Sequence, residues 1–385
     1  MIKNVYLKNM IKNSICKIMD KINMIVPKKD NYILLYAANG GLKHNLKPLL
    51  KYLVENGYND KYTIFCGVKE KKYISASENN VKYCLPLQSM FIYLRSVHVF
   101  YTAGQIPIFP SKKQVVIHMN HGTCDYKTMG ALSPINNGNE FYFSYMLTTG
   151  EYYKPIVAKE YKCDTSNVYV CSEPTTDCFY KPVNEKYDLG HYDKIFLWLP
   201  TFRKSDYYYK DDSSEETLLP ALEEKDYGKL NEILKANNYK LIVKLHGAQK
   251  LDRYKIAEYS NLFIYSDEDF GKLDYDLYQL LMQVDVLLGD YSSVSLQFLL
   301  LDKPLVYVIP DMEEYKNGRG FVFDKPEDFM PGVKVRNAKE LFDFFENYKS
   351  NDNYYEERNR VKKIIHKYDD GKSCERILKL SGIKL

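Results

Sequence analysis

Tryptophan occurs once in this 385-residue chain, and arginine is almost missing from its first half, where Arg95 stands alone before residue 190. A nucleic-acid surface of interleaved arginine and aromatic side chains is therefore not expected there. No apolar run approaches the roughly 20 residues that cross a bilayer. Near the start there is also no compact apolar stretch ending in a small-residue cleavage site, so neither spanning nor secretion is expected. The eight cysteines run from Cys16 to Cys374 without a C-x-x-C pair or a histidine at metal-ligand spacing. They read as reduced cytosolic thiols, with no disulfide framework and no zinc site. Also absent are G-x-x-x-x-G-K followed by Ser or Thr, G-x-G-x-x-G, G-x-S-x-G and H-E-x-x-H. Their absence removes P-loop hydrolysis, dinucleotide redox chemistry, serine-esterase catalysis and zincin proteolysis. Nucleotide-linked group transfer remains.

What is present is ordinary globular composition, 45% hydrophobic and 27% charged, over a length that one core rarely organises. Two domains are expected. The net charge of +4 hides an asymmetry. Residues 1–190 carry 24 basic against 15 acidic side chains, a formal +9, which leaves 30 against 35, or −5, for the rest. A basic half suits a polyanion or an anionic membrane surface.

Up to Pro27, Ile11, Ile15, Ile18, Ile22 and Ile25 share one helical face, while Lys3, Lys8, Lys12, Lys17 and Lys21 lie largely elsewhere. This predicts a basic amphipathic helix that either packs on its own domain or lies on an anionic bilayer. Short β-branched and aromatic runs follow at Tyr32–Tyr36, Tyr62–Cys66, Val97–Tyr101 and Gln114–His118. Helical patterns lie between them at Leu42–Glu55 and Gln88–Leu94. A second series begins at Lys194–Leu199 and continues through Tyr239–Leu245, Leu262–Tyr265, Val284–Leu288 and Leu305–Ile309. Repeated strand and helix argue for two doubly wound parallel sheets facing a cleft, an α/β fold with two Rossmann-like domains. The expected boundaries are 1–28 for the helix, 29–186 for the first domain and 187–385 for the second, whose last helix can pack back on the first. The polar stretch Ser205–Thr217 reads as a movable loop.

In open α/β sheets ligands bind beyond the carboxyl ends of the strands. Segments in that position are Asn120-His121-Gly122-Thr123, Pro200-Thr201-Phe202-Arg203, Leu245-His246-Gly247 and Gly289-Asp290-Tyr291-Ser292-Ser293-Val294. The last delivers capping oxygens and free N–H groups to the start of a helix at Ser295–Leu301, which makes an anion site with phosphate as its natural guest. As the bland alternative, the same residues merely cap the helix. His121, turned by Gly122, is suited to take a proton from a hydroxyl, and otherwise is a hydrogen-bonded loop histidine. His118 and His121 have no third ligand at a recognisable spacing, so no metal is assigned. His246 repeats the strand-His-Gly pattern. A carboxylate in Asp311-Met312-Glu313-Glu314-Tyr315 can accept from ribose hydroxyls, and Arg319 can bind phosphate.

The order of these segments resembles the CDP-glycerol glycerophosphotransferase family of teichoic-acid and capsule polymer synthesis. The shared wording is His121-Gly122-Thr123 with Lys127, Pro200-Thr201-Phe202-Arg203, Leu245-His246-Gly247, Asp290-Tyr291-Ser292-Ser293-Val294, Pro310-Asp311 with Tyr315, and Arg319-Gly320-Phe321. Departures are Asn120 for the family's Trp, Cys124-Asp125 for Pro-Leu, Gln297 for an acidic residue, and Ser172–Asp177 without the usual Arg. These are assigned to the acceptor side. The resemblance implies a glycosyltransferase-B fold whose second domain binds a CDP-polyol and whose first receives an anionic polyol-phosphate or glycan acceptor, lipid-linked at the inner membrane face.

On that resemblance, glycerol phosphate or ribitol phosphate passes to an acceptor hydroxyl and CMP leaves. His121 and His246 are the expected catalytic residues. Thr123, Lys127, Arg203, Asp290, Ser292, Ser293, Glu314 and Arg319 are expected to bind substrate, with His246, Arg203 and Arg319 neutralising charge on the pyrophosphate. No cofactor, metal or nucleic acid is called for, and a cytoplasmic location peripheral to the membrane is implied. The alternatives are a sugar transferase of the same fold and a non-catalytic polymer-binding protein.

Overall fold

The computed structural model describes residues 17–38, 40–75, 78–102, 104–120, 122, 124–134, 140–183, 186–203, 217–247, 249, 257–348 and 352–385. His121, Thr123 and, apart from Thr217, the polar stretch 205–217 lie outside them. The chain divides into two compact units, one of residues 1–123, 138–177 and 370–385, the other of 124–137 and 178–369.

In the first unit, β1 (Lys29–Tyr36), β2 (Thr63–Gly67), β3 (Val81–Cys84), β4 (Ser96–Tyr101), β5 (Val115–His118), β6 (Tyr145–Thr148) and β7 (Val168–Val170) form one parallel sheet in the order 3-2-1-4-5-6-7. Its helices are α1 (17–25), α2 (Leu46–Glu55), α3 (Tyr58–Lys61), α4 (Pro86–Arg95) and α5 (Lys154–Glu160). Successive side chains of a strand point to opposite faces, and here both faces are apolar. Ile33 and Leu35 pack with Leu46, Leu49 and Leu53 of α2, whereas Leu34 packs with Tyr93 and Leu94 of α4.

The second unit repeats the design. Strands β8 (Lys194–Trp198), β9 (Tyr239–Lys244), β10 (Leu262–Tyr265), β11 (Val286–Gly289), β12 (Leu305–Val308) and β13 (Val333–Val335) run parallel in the order 10-9-8-11-12-13. The helices are α6 (Asp226–Ala236), α7 (Asp267–Lys272), α8 (Leu277–Gln283), α9 (Ser293–Phe298), α10 (Met312–Gly318), α11 (Ala338–Glu346) and α12 (Tyr355–Ile365). Phe196, Trp198, Leu241 and Val243 meet Leu230 and Leu234 of α6 and Phe342 and Phe345 of α11. The final helix α13 (Ser373–Ser381) returns to the first unit, where Cys374, Ile377 and Leu378 join the α2 face. Asp177 fastens its start, accepting from Ser373 N at 3.0 Å, Ser373 Oγ at 2.6 Å and Cys374 N at 3.0 Å.

The fold class and the expected strands stand, with four additions and shifted boundaries, the largest at β1, which starts at Lys29 and not at Tyr32. β3, β6, β7 and β13 carry no strand expectation. The run Val284–Leu288 becomes a strand only from Val286. Val284 closes α8, and Asp285 Oδ2 accepts from Ile195 N at 2.8 Å.

The amphipathic helix is a second correction. In its described part the isoleucine stripe is split: Met19, Ile22 and Val26 pack under α4, while Ile18 and Ile25 are 59% and 80% exposed. Polar anchors set this rotation. Asn23, fully buried, donates to Phe109 O at 2.8 Å and Gln114 Oε1 at 2.7 Å, and Asp20 accepts from Phe109 N at 2.7 Å. Among the described residues no helix is long and apolar enough to cross a membrane.

Candidate active site

Both sheets reverse their strand order beside their first strand, in the second unit between β8 and β11, and the crevice at the carboxyl ends of such a pair is where open α/β sheets take ligands. Pro200–Arg203 leaves β8 there, and Asp290–Val294 leaves β11. Gly289 permits the turn. A Cβ on it would lie 2.3 Å from Ser295 Oγ, so a larger residue would force that hydroxyl to turn away.

Arg203 binds the two segments together. Asp290, wholly buried, accepts from Thr201 N and Thr201 Oγ1, both at 2.9 Å, and pairs with Arg203 Nη1. The other edge of the guanidinium meets Asp311 in a two-pronged contact, Nε to Oδ2 at 2.9 Å and Nη2 to Oδ1 at 3.0 Å. Tyr291 OH donates to Asp311 at 3.1 Å. The rings of Tyr291 and Tyr315 lie under the guanidinium carbon at 5.1 and 5.7 Å. Burial pulls the Arg203 pKa down, but Asp290 and Asp311 more than reverse this and leave it above its ordinary value. One arginine against two carboxylates leaves a formal negative charge, which the Thr201 and Tyr291 donors disperse. The sequence expectation that Arg203 neutralises substrate charge thus meets a 3% exposed guanidinium already committed to internal partners.

The segment after β5 also belongs to this assembly. Residues 124–137 are counted with the second unit, where Lys127 bridges Phe321 antiparallel, Val322 N donates to Tyr126 O at 2.8 Å and Thr128 N to Gly320 O at 3.2 Å. Thr128 Oγ1 reaches Arg319 O at 2.8 Å. The Tyr126 ring packs edge-on to Tyr307 and Phe323, and its hydroxyl donates to Phe329 O at 2.6 Å. Lys127 and Arg319 are consequently neighbours, both half-buried, and Asp125 between them has its carboxyl pKa raised by desolvation against their pull. The departures at Cys124 and Asp125, assigned from sequence to the acceptor side, lie with the second unit.

Of the remaining expected residues, Ser292 and Ser293 are half-buried at the start of α9, Glu314 is exposed on α10, and His246 is exposed on the turn after β9. The His246 ring lies 4.8 Å from that of Phe202, tilted by 43°. Its pKa is held down to about 4, first by desolvation and then by Lys127 and Lys244. Because the ring is open to solvent, the desolvation is weaker than full burial would give, and the shift favours a neutral, hydrogen-bonding imidazole. Gln297, 2% exposed, accepts from Tyr278 OH at 3.0 Å and is fixed inside the unit. His118 is a core residue, its Nε2 2.7 Å from Thr102 O and its ring stacked on Tyr101 at 4.5 Å. Among the described residues no group of His, Cys, Asp and Glu has the arrangement of a metal site.

Sequence reasoning missed the Asp311–Tyr291–Tyr315 side of the assembly. The Pro-Asp-x-x-x-Tyr wording was visible, but its partner Arg203 lies 108 residues away. What the assembly offers chemically is a rigid rim bearing helix-start N–H groups, two cations and a neutral imidazole, which suits an anionic group such as a pyrophosphate.

Comparison with solved structures shows the fold. A histidine-to-alanine variant of the wall teichoic acid polymerase TagF superposes with a TM-score of 0.75 at 18% identity, over 98% of this chain and 95% of that one. A UDP-N-acetylglucosamine 2-epimerase reaches 0.55 at 12% identity, over 93% and 97%. Among curated proteins, the teichoic acid poly(ribitol-phosphate) polymerase of Bacillus spizizenii is 23% identical over 92% of this chain, which spans only 56% of that polymerase. The poly(glycerol phosphate) polymerase of the same organism is 22% identical over 91% of this chain and 95% of its own length. Residues 18–380 match the family described as CDP-glycerol:poly(glycerophosphate) glycerophosphotransferase, and with nearly the whole chain covered, the protein belongs to that family.

Proposed function

We propose that the protein transfers a polyol phosphate, glycerol phosphate or ribitol phosphate, from a CDP-polyol to an acceptor hydroxyl in the synthesis of a teichoic-acid-like or capsular polymer. The observation that carries this reading is the interlocking of five family segments around Arg203 at the strand-order reversal of the second unit. Ser292, Ser293 and the N–H groups at the start of α9 hold the pyrophosphate, Arg319 and Lys127 balance its charge, and Glu314 accepts from the ribose. His246 donates an N–H to a phosphate oxygen, and the arriving anion lifts its pKa. Arg203 and Asp290 act by fixing the two turns.

His121, outside the described residues as is its neighbour Thr123, takes the proton of the acceptor hydroxyl. The freed oxygen attacks the phosphorus that carries the polyol. The bond from that phosphorus to the bridging oxygen breaks, and the oxygen departs on CMP.

The exposed part of α1 supports work at an anionic membrane surface on the cytoplasmic side, where lipid-linked acceptors reside. Ile18, Met24 and Ile25 project beside Lys17 and Lys21, and Leu87 and Phe91 of α4 are 73% and 61% exposed.

Incubation with CDP-glycerol or CDP-ribitol and a phosphodiester primer should release CMP, and His121→Ala should lower turnover by about 100-fold or more with CDP affinity nearly intact. Absence of CMP with both donors, or stabilisation by UDP-sugars in place of CMP, would remove this reading in favour of a sugar transferase.

A further inference from the structure

The first unit carries an open groove of about 620 Å³ along α2, which the donor-side reading leaves unused. It lies on the side of α2 away from the buried Leu46, Leu49 and Leu53. Lys43, Lys47, Lys51 and Lys72 line it, with Leu50 and Val54 among its apolar surfaces. Lys47 and Lys51 are one helical turn apart, about 6 Å along the axis. Lys43, just ahead of the helix, continues the row. The chain leaving β1 stays close to Tyr73 because position 41 is glycine: a Cβ there would lie 3.1 Å from the ring.

The ion pairs seen in this groove are solvent-exposed. Glu55 and Glu78 share the lining with the four lysines, and Glu70 pairs with Lys72 beside it. Lys51 and Glu55 are 3.7 Å apart with side chains 62% and 50% exposed, and Lys72 meets Glu70 at 3.2 Å with both also half in solvent. Exposed pairs of this kind interact weakly and open to a competing anion. A row of ammonium groups one turn apart over aliphatic surface matches a chain in which phosphodiesters recur every few bonds with short carbon segments between them.

We propose that this groove holds the already built part of a polyol-phosphate acceptor, away from its reacting end. The inference rests on the polyol-phosphate reading for the identity of the polymer. A site with several lysines in register binds long chains better than short ones, so the enzyme would favour an acceptor it has already extended.

The test is K43Q/K47Q/K51Q, which keeps the size of the side chains and removes three charges. Labelled poly(glycerol phosphate), titrated into the full chain without donor, should bind at least fivefold more weakly to the variant and with weaker salt dependence, while the melting temperature is unchanged. In the transfer assay, KM for a long acceptor should rise by a similar factor and KM for a single-unit acceptor should stay as in the parent. Equal polymer binding by parent and variant overturns the groove, whatever the transfer assay gives. So does competition by inorganic phosphate as effective as that of polymer at equal phosphate concentration. Loss of binding to anionic phospholipid vesicles with polymer binding retained overturns it too, because the lysines would then serve a lipid surface. Failure of the parent to release CMP strikes the polyol-phosphate reading alone, since the binding arm needs no turnover.

Discussion

Replacing Arg203 with methionine separates two roles that this guanidinium could have. It keeps much of the side chain's volume and removes its charge. Asp290, with no exposed surface, and Asp311, whose side chain is 5% exposed, would then face each other across a dry interior without their common partner. Breaking a buried ion pair from one side costs about 3 to 5 kcal/mol, because the stranded charge keeps its desolvation penalty. For a unit of this size each kcal/mol moves the melting temperature by about 2 to 4 °C, so a fall of roughly 6 to 20 °C is expected. Adding D290N and D311N should restore part of it, as the stranded charges go with their partner. Calorimetry on the parent and both variants, together with CDP titration at a temperature where all are folded, decides the matter. A methionine variant that melts within about 2 °C of the parent but binds CDP tenfold more weakly would refute the internal role and make Arg203 a substrate ligand.

Ser293→Ala and Arg319→Ala should each weaken CDP-polyol binding by about 1 to 3 kcal/mol, measured by calorimetric titration, and unchanged affinity in both would displace the pyrophosphate from α9. His366 is 5% exposed with Nε2 2.9 Å from Leu296 O, and burial holds its pKa down to about 4. The unfolded chain protonates near 6.5 and the folded one only near 4, so the contribution is complete above 6.5 and is lost as pH falls through that window, up to about 3 kcal/mol. His366→Gln should melt with a shallower dependence between pH 6.5 and 4 than the parent. Identical slopes would exclude His366 as the source. Asn23→Ala should lower the melting temperature through about 1 to 3 kcal/mol of lost buried hydrogen bonding, and an unchanged value would mean that α1 is not anchored to the first unit.

The strands that sequence pattern identified carry unbroken runs of aliphatic and aromatic side chains, the four-residue edge strand Leu262–Tyr265 among them. Val81–Cys84 and Val333–Val335 escaped because Lys82 and Lys334 interrupt their apolar runs, and such an edge strand owes its existence to its neighbour more than to its own sequence. The positions of the candidate site were legible because a parallel sheet delivers its strand ends to one rim. The partners were not. That Arg203 faces inward to Asp290 and Asp311 depends on three strand ends becoming neighbours, and the helical period of the N-terminal stretch could not reveal that Asn23 and Asp20 rotate it away from its isoleucine face. Nor does composition change at Cys124, where the chain passes into the second unit.

That interleaving bears on the order in which the protein can be made. Emerging from the ribosome, the second unit has all its segments once residue 369 is out, whereas the first, begun earlier, still lacks α13. Until those residues follow, Asp177 has no helix start to hold, and the apolar face of β1, β2 and β5 is left without Cys374, Ile377 and Leu378. The later unit therefore has all its segments before the earlier one is closed, and a chain cut ahead of residue 370 would display a sheet with one flank uncovered, the kind of surface that holding chaperones bind.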